Sequence, residues 1–333
     1  METVLVKEYR ANLMECAHNG HIAMVGENGV LKGYAGDPGF VSFTRSSAKP
    51  LQAIPGIRGG IMDKYGLSAD EIALMTASHR GESYHLQALE SIAAKTGVTE
   101  SCMICASSYP LDEGSREEAI RGNGKRKLYH NCSGKHLGLL SYSKSRALPL
   151  EGYAQPEHPV QREILQTVAY MAGLAQKDIS LGTDGCGLPV FALPLTGLAH
   201  AYLKLACPEL IEDKATREAV KVITSAMHAH PEMVAGHGRL DSLLLEDENI
   251  VSKGGFKGVY CFGLRNERLG FAFKILDGSE EEWGLIVRGI LEQIGYSNRS
   301  TLSKLAAAFT GYIENDEGTR VGHAETVFKL ELI

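Results

Sequence analysis

A chain of 333 residues can bury a large core, either as one domain or as two interleaved ones. Its 44% hydrophobic and 22% charged residues, with 37 glycines, exclude a disordered or fibrous chain and describe a loop-rich globule. The net charge of −6, with no basic run beyond Lys125-Arg126-Lys127, excludes a nucleic-acid footprint. The N-terminus has an acid at its second position and no long apolar region, so neither a signal peptide nor a membrane span is expected. Seven cysteines, an odd number, are expected to be reduced thiols in the cytoplasm rather than a disulfide framework.

In chain order, residues 2–44 predict antiparallel strands. These are Thr3–Arg10, Leu13–Ala17 and Ile22–Val25, with a turn at His18-Asn19-Gly20 because an Asn-Gly pair readily supplies positive φ. A second turn at Glu27-Asn28-Gly29 leads to a strand over Val30–Tyr34. From Ser46 to about Leu245 the pattern is mostly helical. Ser68-Ala69-Asp70-Glu71 forms a capping box, Leu86–Lys95 closes at Gly97, and Pro159 opens a long amphipathic helix. The run Cys102–Ala106 predicts a buried strand, which removes its C-x-x-C spacing from the candidate sites. Strand character returns as a hairpin, Val259–Leu264 with Leu269–Leu276, and two helices follow. The class expected is α/β (α+β). Residues 1–45 and 246–333 would form an antiparallel sheet from both chain ends, flanked by helices, with 46–245 as an inserted, mainly helical lobe. A cleft between the two is a usual place for a small-molecule site.

Four stretches carry chemistry. Arg45-Ser46-Ser47-Ala48-Lys49-Pro50 lies where strands give way to helix, and Ser46 and Lys49, at i and i+3, share a helix face. A neutral lysine within reach activates a serine nucleophile, although a serine cap followed by a solvated lysine has the same letters. Thr76-Ala77-Ser78-His79-Arg80-Gly81-Glu82 collects a hydroxyl, an imidazole, a guanidinium and a carboxylate, the groups that a pocket for a zwitterion needs. His130-Asn131-Cys132-Ser133-Gly134-Lys135-His136 and Thr183-Asp184-Gly185-Cys186-Gly187 are glycine-flanked loops with one cysteine each. Together they could bind zinc, or simply bury two small thiols. Finally, Ser252-Lys253-Gly254-Gly255 precedes a strand and leaves a groove at its edge, the position at which S-x-x-K enzymes carry a second lysine motif.

Taken in this order, R-S-S-x-K-P at 45–50, A-S-H-x-G-E at 77–82, N-C-S-G-K-H at 131–136, D-G-C-G at 184–187 and K-G-G at 253–255 resemble the rhizobial-type (class 3) L-asparaginases of the asparaginase II family. That family is itself related in fold to serine β-lactamases and glutaminases. The resemblance covers most of the chain and implies hydrolysis of L-asparagine to L-aspartate and ammonia by a homodimer. It implies two serine–lysine pairs, Ser46 with Lys49 and Ser78 with Lys253. It also implies a zinc ion on Cys132, Lys135 and Cys186, with His136 and Asp184 as possible replacements for the lysine. Arg45 and Arg80 are candidates for the substrate carboxylate, Glu82 or Asp184 for its ammonium, and His79 and His136 for further substrate contacts. One departure is Phe256-Lys257-Gly258, where the family often has Ala-Glu-Gly. The other readings are a glutaminase, β-lactamase or peptidase on the same scaffold, and a non-catalytic zinc or amino-acid binding protein.

Overall fold

The computed structural model describes residues 1–122 and 124–333. Its strands are β1 (Thr3–Arg10), β2 (Leu13–Val25), β3 (Leu31–Ala35), β4 (Val41–Phe43), β5 (Ser180–Thr183), β6 (Pro189–Pro194), β7 (Ile250–Gly254), β8 (Val259–Leu264), β9 (Leu269–Ile275), β10 (Tyr312–Glu314), β11 (Arg320–Thr326) and β12 (Glu331–Leu332). The larger antiparallel sheet runs β10-β11-β1-β2-β9-β8-β7, with β3 and β12 continuing from β2. It is therefore built from both ends of the chain: Val6 pairs with Thr326, and Gly20 with Ile275. A smaller sheet, β4-β6-β5, stands beside the helices from the middle of the chain. Among the described residues no helix is long and apolar enough to cross a membrane. The architecture is the mixed α/β class expected, with an antiparallel sheet and packed helices.

Many local readings hold. The Ser68–Glu71 capping box opens the helix Ala69–Met75, Gly97 ends the helix Ser83–Thr96 in a left-handed conformation, and Pro159 starts the helix Pro159–Ala172. Two do not. His18-Asn19-Gly20 is no turn but the middle of the continuous strand β2. The reversal falls earlier, at Ala11-Asn12, where Ala11 takes a φ of 51°. Gly20 is needed for another reason: a β-carbon there would stand 2.2 Å from the Lys274 carbonyl oxygen on β9. Close approach of a neighbouring strand, rather than positive φ, requires the glycine. Nor is Cys102–Ala106 a strand. Its backbone bonds run to a local turn and to side chains, the Cys102 N–H donating to the Thr99 carbonyl at 3.0 Å and the Ile104 N–H to the Tyr153 hydroxyl at 3.1 Å, and no partner strand is present among the described residues.

The helix Leu195–Ala206, from the middle of the chain, packs directly on β8 and β9. Gly263 and Gly270 are cross-strand partners that form its seat. A β-carbon on Gly270 would stand 2.0 Å from the Ala199 carbonyl oxygen, and one on Gly263 2.2 Å from that of Tyr202. Gly270→Ala is expected to lower the unfolding free energy by about 1–3 kcal/mol through overpacking. Gly114→Ala, within the helix Glu113–Arg121 where only the Asp112 carboxylate comes near at 3.6 Å, should raise it by about 0.5–1 kcal/mol. Chemical denaturation of both variants checks the contrast.

Candidate active site

A cavity of about 310 Å³ lies where the candidate motifs meet. Its walls include Arg45, Ser46, Ser78, Arg80, Asn131, Cys132, Asp184, Cys186, Asp241, Lys253, Glu280 and Trp283. This volume is at the small end of the range for ligand pockets, which suits a ligand of a few heavy atoms better than a polymer.

Ser46 sits in a short 3₁₀ turn, Arg45–Ala48, between β4 and the helix Lys49–Arg58, and its carbonyl accepts the Lys49 N–H. The turn begins in strain, since Arg45 has a φ of 50°, a conformation a non-glycine residue occupies only when its surroundings hold it there. Those surroundings are an ion pair with Asp184 at 3.1 Å and the Phe256 ring, whose centre is 5.4 Å from the guanidinium. The Ser46 hydroxyl faces the cavity, 7% of the residue being exposed.

Lys49 is fully enclosed, at 0% exposure. Its amine lies 3.0 Å from the Ser78 hydroxyl, 2.5 Å from the Ala77 carbonyl oxygen and 3.3 Å from that of Asn131. The expected pairing of Lys49 with Ser46 is therefore replaced by Lys49 with Ser78. Sharing a helix face brought the two residues together, but the long lysine side chain runs inward to the loop after the helix Ala69–Met75. Ser78 is itself pinned by its N–H, which donates to the Val234 carbonyl at 2.8 Å. Burial lowers the Lys49 pKa to about 8, with Lys135 and Lys253 adding repulsion and the Cys132 thiolate partly opposing both.

Lys253, at the end of β7, does not reach Ser78 as its bonded partner. Its amine donates to Asp241 at 2.6 Å and to the Gly254 carbonyl at 2.8 Å, and the other Asp241 oxygen accepts the Gly254 N–H at 2.8 Å. Asp241 was not singled out from the sequence. It opens the short helix Leu240–Leu245 among leucines, and the one signal available was a lone carboxylate inside an apolar run.

The thiols of Cys132 and Cys186 come together from two loops. One precedes the helix Ser133–Ser145, and the other is the turn between β5 and β6. A hydrogen bond from Cys186, reinforced by Lys49 and Lys135, holds the Cys132 thiol well below its usual pKa, and the same bond pushes Cys186 up. The Lys135 amine stands 3.3 Å from the Cys186 sulfur and 3.9 Å from the Asp184 carboxylate. Burial pulls its pKa down, but attraction to Cys186, Cys132 and Asp184 outweighs that. Two buried sulfurs and a nitrogen converging in this way are a donor set that fits a soft divalent cation.

Three residues expected to contact substrate lie outside the cavity wall. His79 is at 0% exposure and its Nε2 bonds the Ser133 hydroxyl at 2.8 Å; burial lowers its pKa far enough to keep it neutral. His136 is likewise buried, with Nδ1 at 2.5 Å from the Tyr153 hydroxyl. Glu82 caps the helix Ser83–Thr96 outside the cavity wall. Both histidines are tied to the protein's own framework. Arg80 does line the cavity, with one guanidinium nitrogen donating to the Leu111 carbonyl at 2.8 Å. Lys257 stacks on Phe256 rather than entering the cavity. Sequence reasoning missed Arg239, Glu280 and Trp283 on its walls, and named Asn131 only as part of a motif.

A family model described as L-asparaginase II matches residues 6–326. That makes the protein an enzyme of the amidohydrolase class. More narrowly, the chain belongs to the L-asparaginase II family. A comparison with curated protein sequences gave no match. Among solved structures, native Mglu is similar at 12% identity and a TM-score of 0.46, over 84% of this chain and 66% of that one. The chain thus spans about two thirds of the length of that protein. A Bacillus glutaminase is similar at 13% identity and a TM-score of 0.38, over 84% and 92% of the two chains. A β-lactamase (Mb2281c) from Mycobacterium bovis is similar at 12% identity and a TM-score of 0.38, over 82% and 94%.

Asp241→Ala strands the buried Lys253 ammonium without a counter-charge. It should lower the unfolding free energy by about 3–5 kcal/mol, read by urea denaturation at neutral pH.

Proposed function

We propose that this protein hydrolyses L-asparagine to L-aspartate and ammonia, with Ser46 as nucleophile, Ser78 as bridge and Lys49 as base. The observation that carries the reading is the set of three contacts around the Lys49 amine. A neutral amine has two N–H donors and one lone pair. The Ala77 and Asn131 carbonyls accept the two N–H groups, which leaves the lone pair for the Ser78 O–H. Ser78 passes its proton to Lys49 and takes one from Ser46, whose hydroxyl opens on the same cavity. Ser46 oxygen then attacks the side-chain amide carbon, and the proton held on Lys49 returns along the same path to the departing nitrogen, releasing ammonia. Water hydrolyses the aspartyl ester, with the hydroxyl of Ser46 restored.

Arg45 and Arg80 supply guanidinium groups on the wall for the substrate carboxylate, and Glu280 and Asp184 supply negative charge for its ammonium. Asp184 is shared with Arg45, so the two act together on a zwitterion. Lys253, ion-paired with Asp241 at 2.6 Å, places its amine at the wall where an oxyanion develops. Zinc would be held by Cys132, Cys186 and Lys135, with Lys135 giving up its proton on binding. Bound there, it would supply a Lewis-acidic point at the edge of the cavity that orients the substrate. A serine with a lysine base needs no metal hydroxide as nucleophile.

Ammonia release from L-asparagine and from L-glutamine tests the reading directly. Ser46→Ala should lose at least about 10³-fold in kcat, and Ser78→Ala about 10²–10⁴-fold as a lost proton relay, both with zinc content unchanged. A Ser46→Ala enzyme at full rate would discard the serine mechanism, and a wild type inert on both amides would discard the substrate.

The rate should also depend on pH in one direction. Only neutral Lys49 accepts a proton, and its pKa is lowered to about 8. The kcat/KM for asparagine is therefore expected to rise through pH about 8 and level off above it. A profile already flat from pH 6 would mean that Lys49 is not the base.

A further inference from the structure

Away from the large cavity, a second group of ligating side chains gathers where the β1–β2 hairpin meets the segment before the helix Trp283–Gln293. Glu8 on β1 lies opposite Cys16 on β2, and His18 follows two residues later on the same face. The His18 Nε2 stands 3.4 Å from one oxygen of Glu282 and 3.7 Å from one of Glu8. All three ligand atoms lie within 4.8 Å of one another. Donors each about 2.1 Å from a tetrahedral ion are about 3.4 Å apart, so two of these separations already suit one ion.

Two further observations point to a ligand. Glu282 is 2% exposed, and its second carboxylate oxygen has no hydrogen-bond partner; the buried His18 Nε2 has none either. A buried, unpaired carboxylate oxygen is costly, and burial accordingly raises the Glu282 pKa. The other imidazole nitrogen, Nδ1, is held by the Asp277 carboxylate at 2.7 Å. A carboxylate only accepts, so Nδ1–H donates to Asp277 and Nε2 is left facing the two glutamates, the arrangement by which proteins orient a metal-ligating histidine.

We propose that Glu8, His18 and Glu282 form a divalent-metal site distinct from the Cys132–Lys135–Cys186 set. One nitrogen and two carboxylates are a harder donor set than two sulfurs and a nitrogen, and suit zinc, cobalt or manganese with a position left open. A separate cavity of about 230 Å³, lined in part by Glu8, Glu281, Glu282 and Tyr312, gives solvent access on that side. The ion would tie the β1–β2 hairpin to the segment that carries Glu280 and Trp283 into the large cavity. The site is argued from its own residues and stands whether or not asparagine is the substrate.

The test is a titration of chelator-treated full-length protein with Co²⁺, followed by absorption spectroscopy and metal analysis. Cobalt on oxygen and nitrogen gives d–d bands without the thiolate-to-cobalt charge transfer that the cysteine pair would produce. The wild type should show a class of bound cobalt lacking charge transfer, and His18→Ala and Glu282→Gln should each lose it while any thiolate band remains. Asp277→Asn, an exposed position outside the donor set, should weaken that class about 10–100-fold and keeps the test decisive if the buried variants fail to fold. Cobalt bound equally by wild type and Asp277→Asn, or bound by the wild type with charge transfer only, would overturn the proposal. It would leave His18 as an imidazole bonded among carboxylates.

Discussion

Three lysines buried side by side set the terms for the rest of this molecule. Lys49, Lys135 and Lys253 are at 0%, 4% and 1% exposure, and an interior ammonium must be matched by a nearby anion or give up its proton. The protein answers differently for each. Lys253 has a carboxylate, Asp241, at bonding distance, and Lys135 has the two cysteine sulfurs with Asp184 behind them. Lys49 has two carbonyls and a hydroxyl as its bonded partners. Its charge is the least compensated of the three, and it is the one whose pKa falls to near neutrality. Reactivity is thus distributed by the choice of partner rather than by the residue itself.

The same packing explains why the site was partly legible in the sequence. Motifs at 45–50, 77–82, 131–136, 184–187 and 253–255 lie in or beside one cavity, because each falls at the end of a strand or helix where the chain can turn a polar group inward. What the spacing could not show is where a long side chain ends. Ser46 and Lys49 share a turn, yet the Lys49 amine crosses to a loop nearly thirty residues on. His79 and His136 sit inside reactive-looking motifs but serve as hydrogen-bonded core residues. Asp241 was invisible because its importance lies in a partner twelve residues away in sequence and on another element.

For the fold, period and capping signals were reliable for helices, where the information is local. They failed at Asn19-Gly20, where the local signal for a turn is overridden by a neighbouring strand lying close above the glycine. Sheet partners were the harder problem throughout. Neither β4-β6-β5 nor the outer strands β10 and β12 carry a strong alternating pattern, and their pairing depends on residues far away in sequence.

The order of the larger sheet also bears on how the chain comes to be folded. β1 and β2 are made long before their outer partners, β11 and β9, leave the ribosome. Until then the apolar run Ile22-Ala23-Met24-Val25, buried in the finished protein, has only its hairpin neighbours for cover. Closing so long a loop before the pairing is formed makes for slow folding and a long window in which an unpaired edge can meet another chain. The same closure ensures that the cavity, whose wall includes Trp283 near one end and Ser46 near the other, cannot assemble from an incomplete chain. A nascent fragment therefore holds the candidate serine and lysine well before it holds a place for them to act.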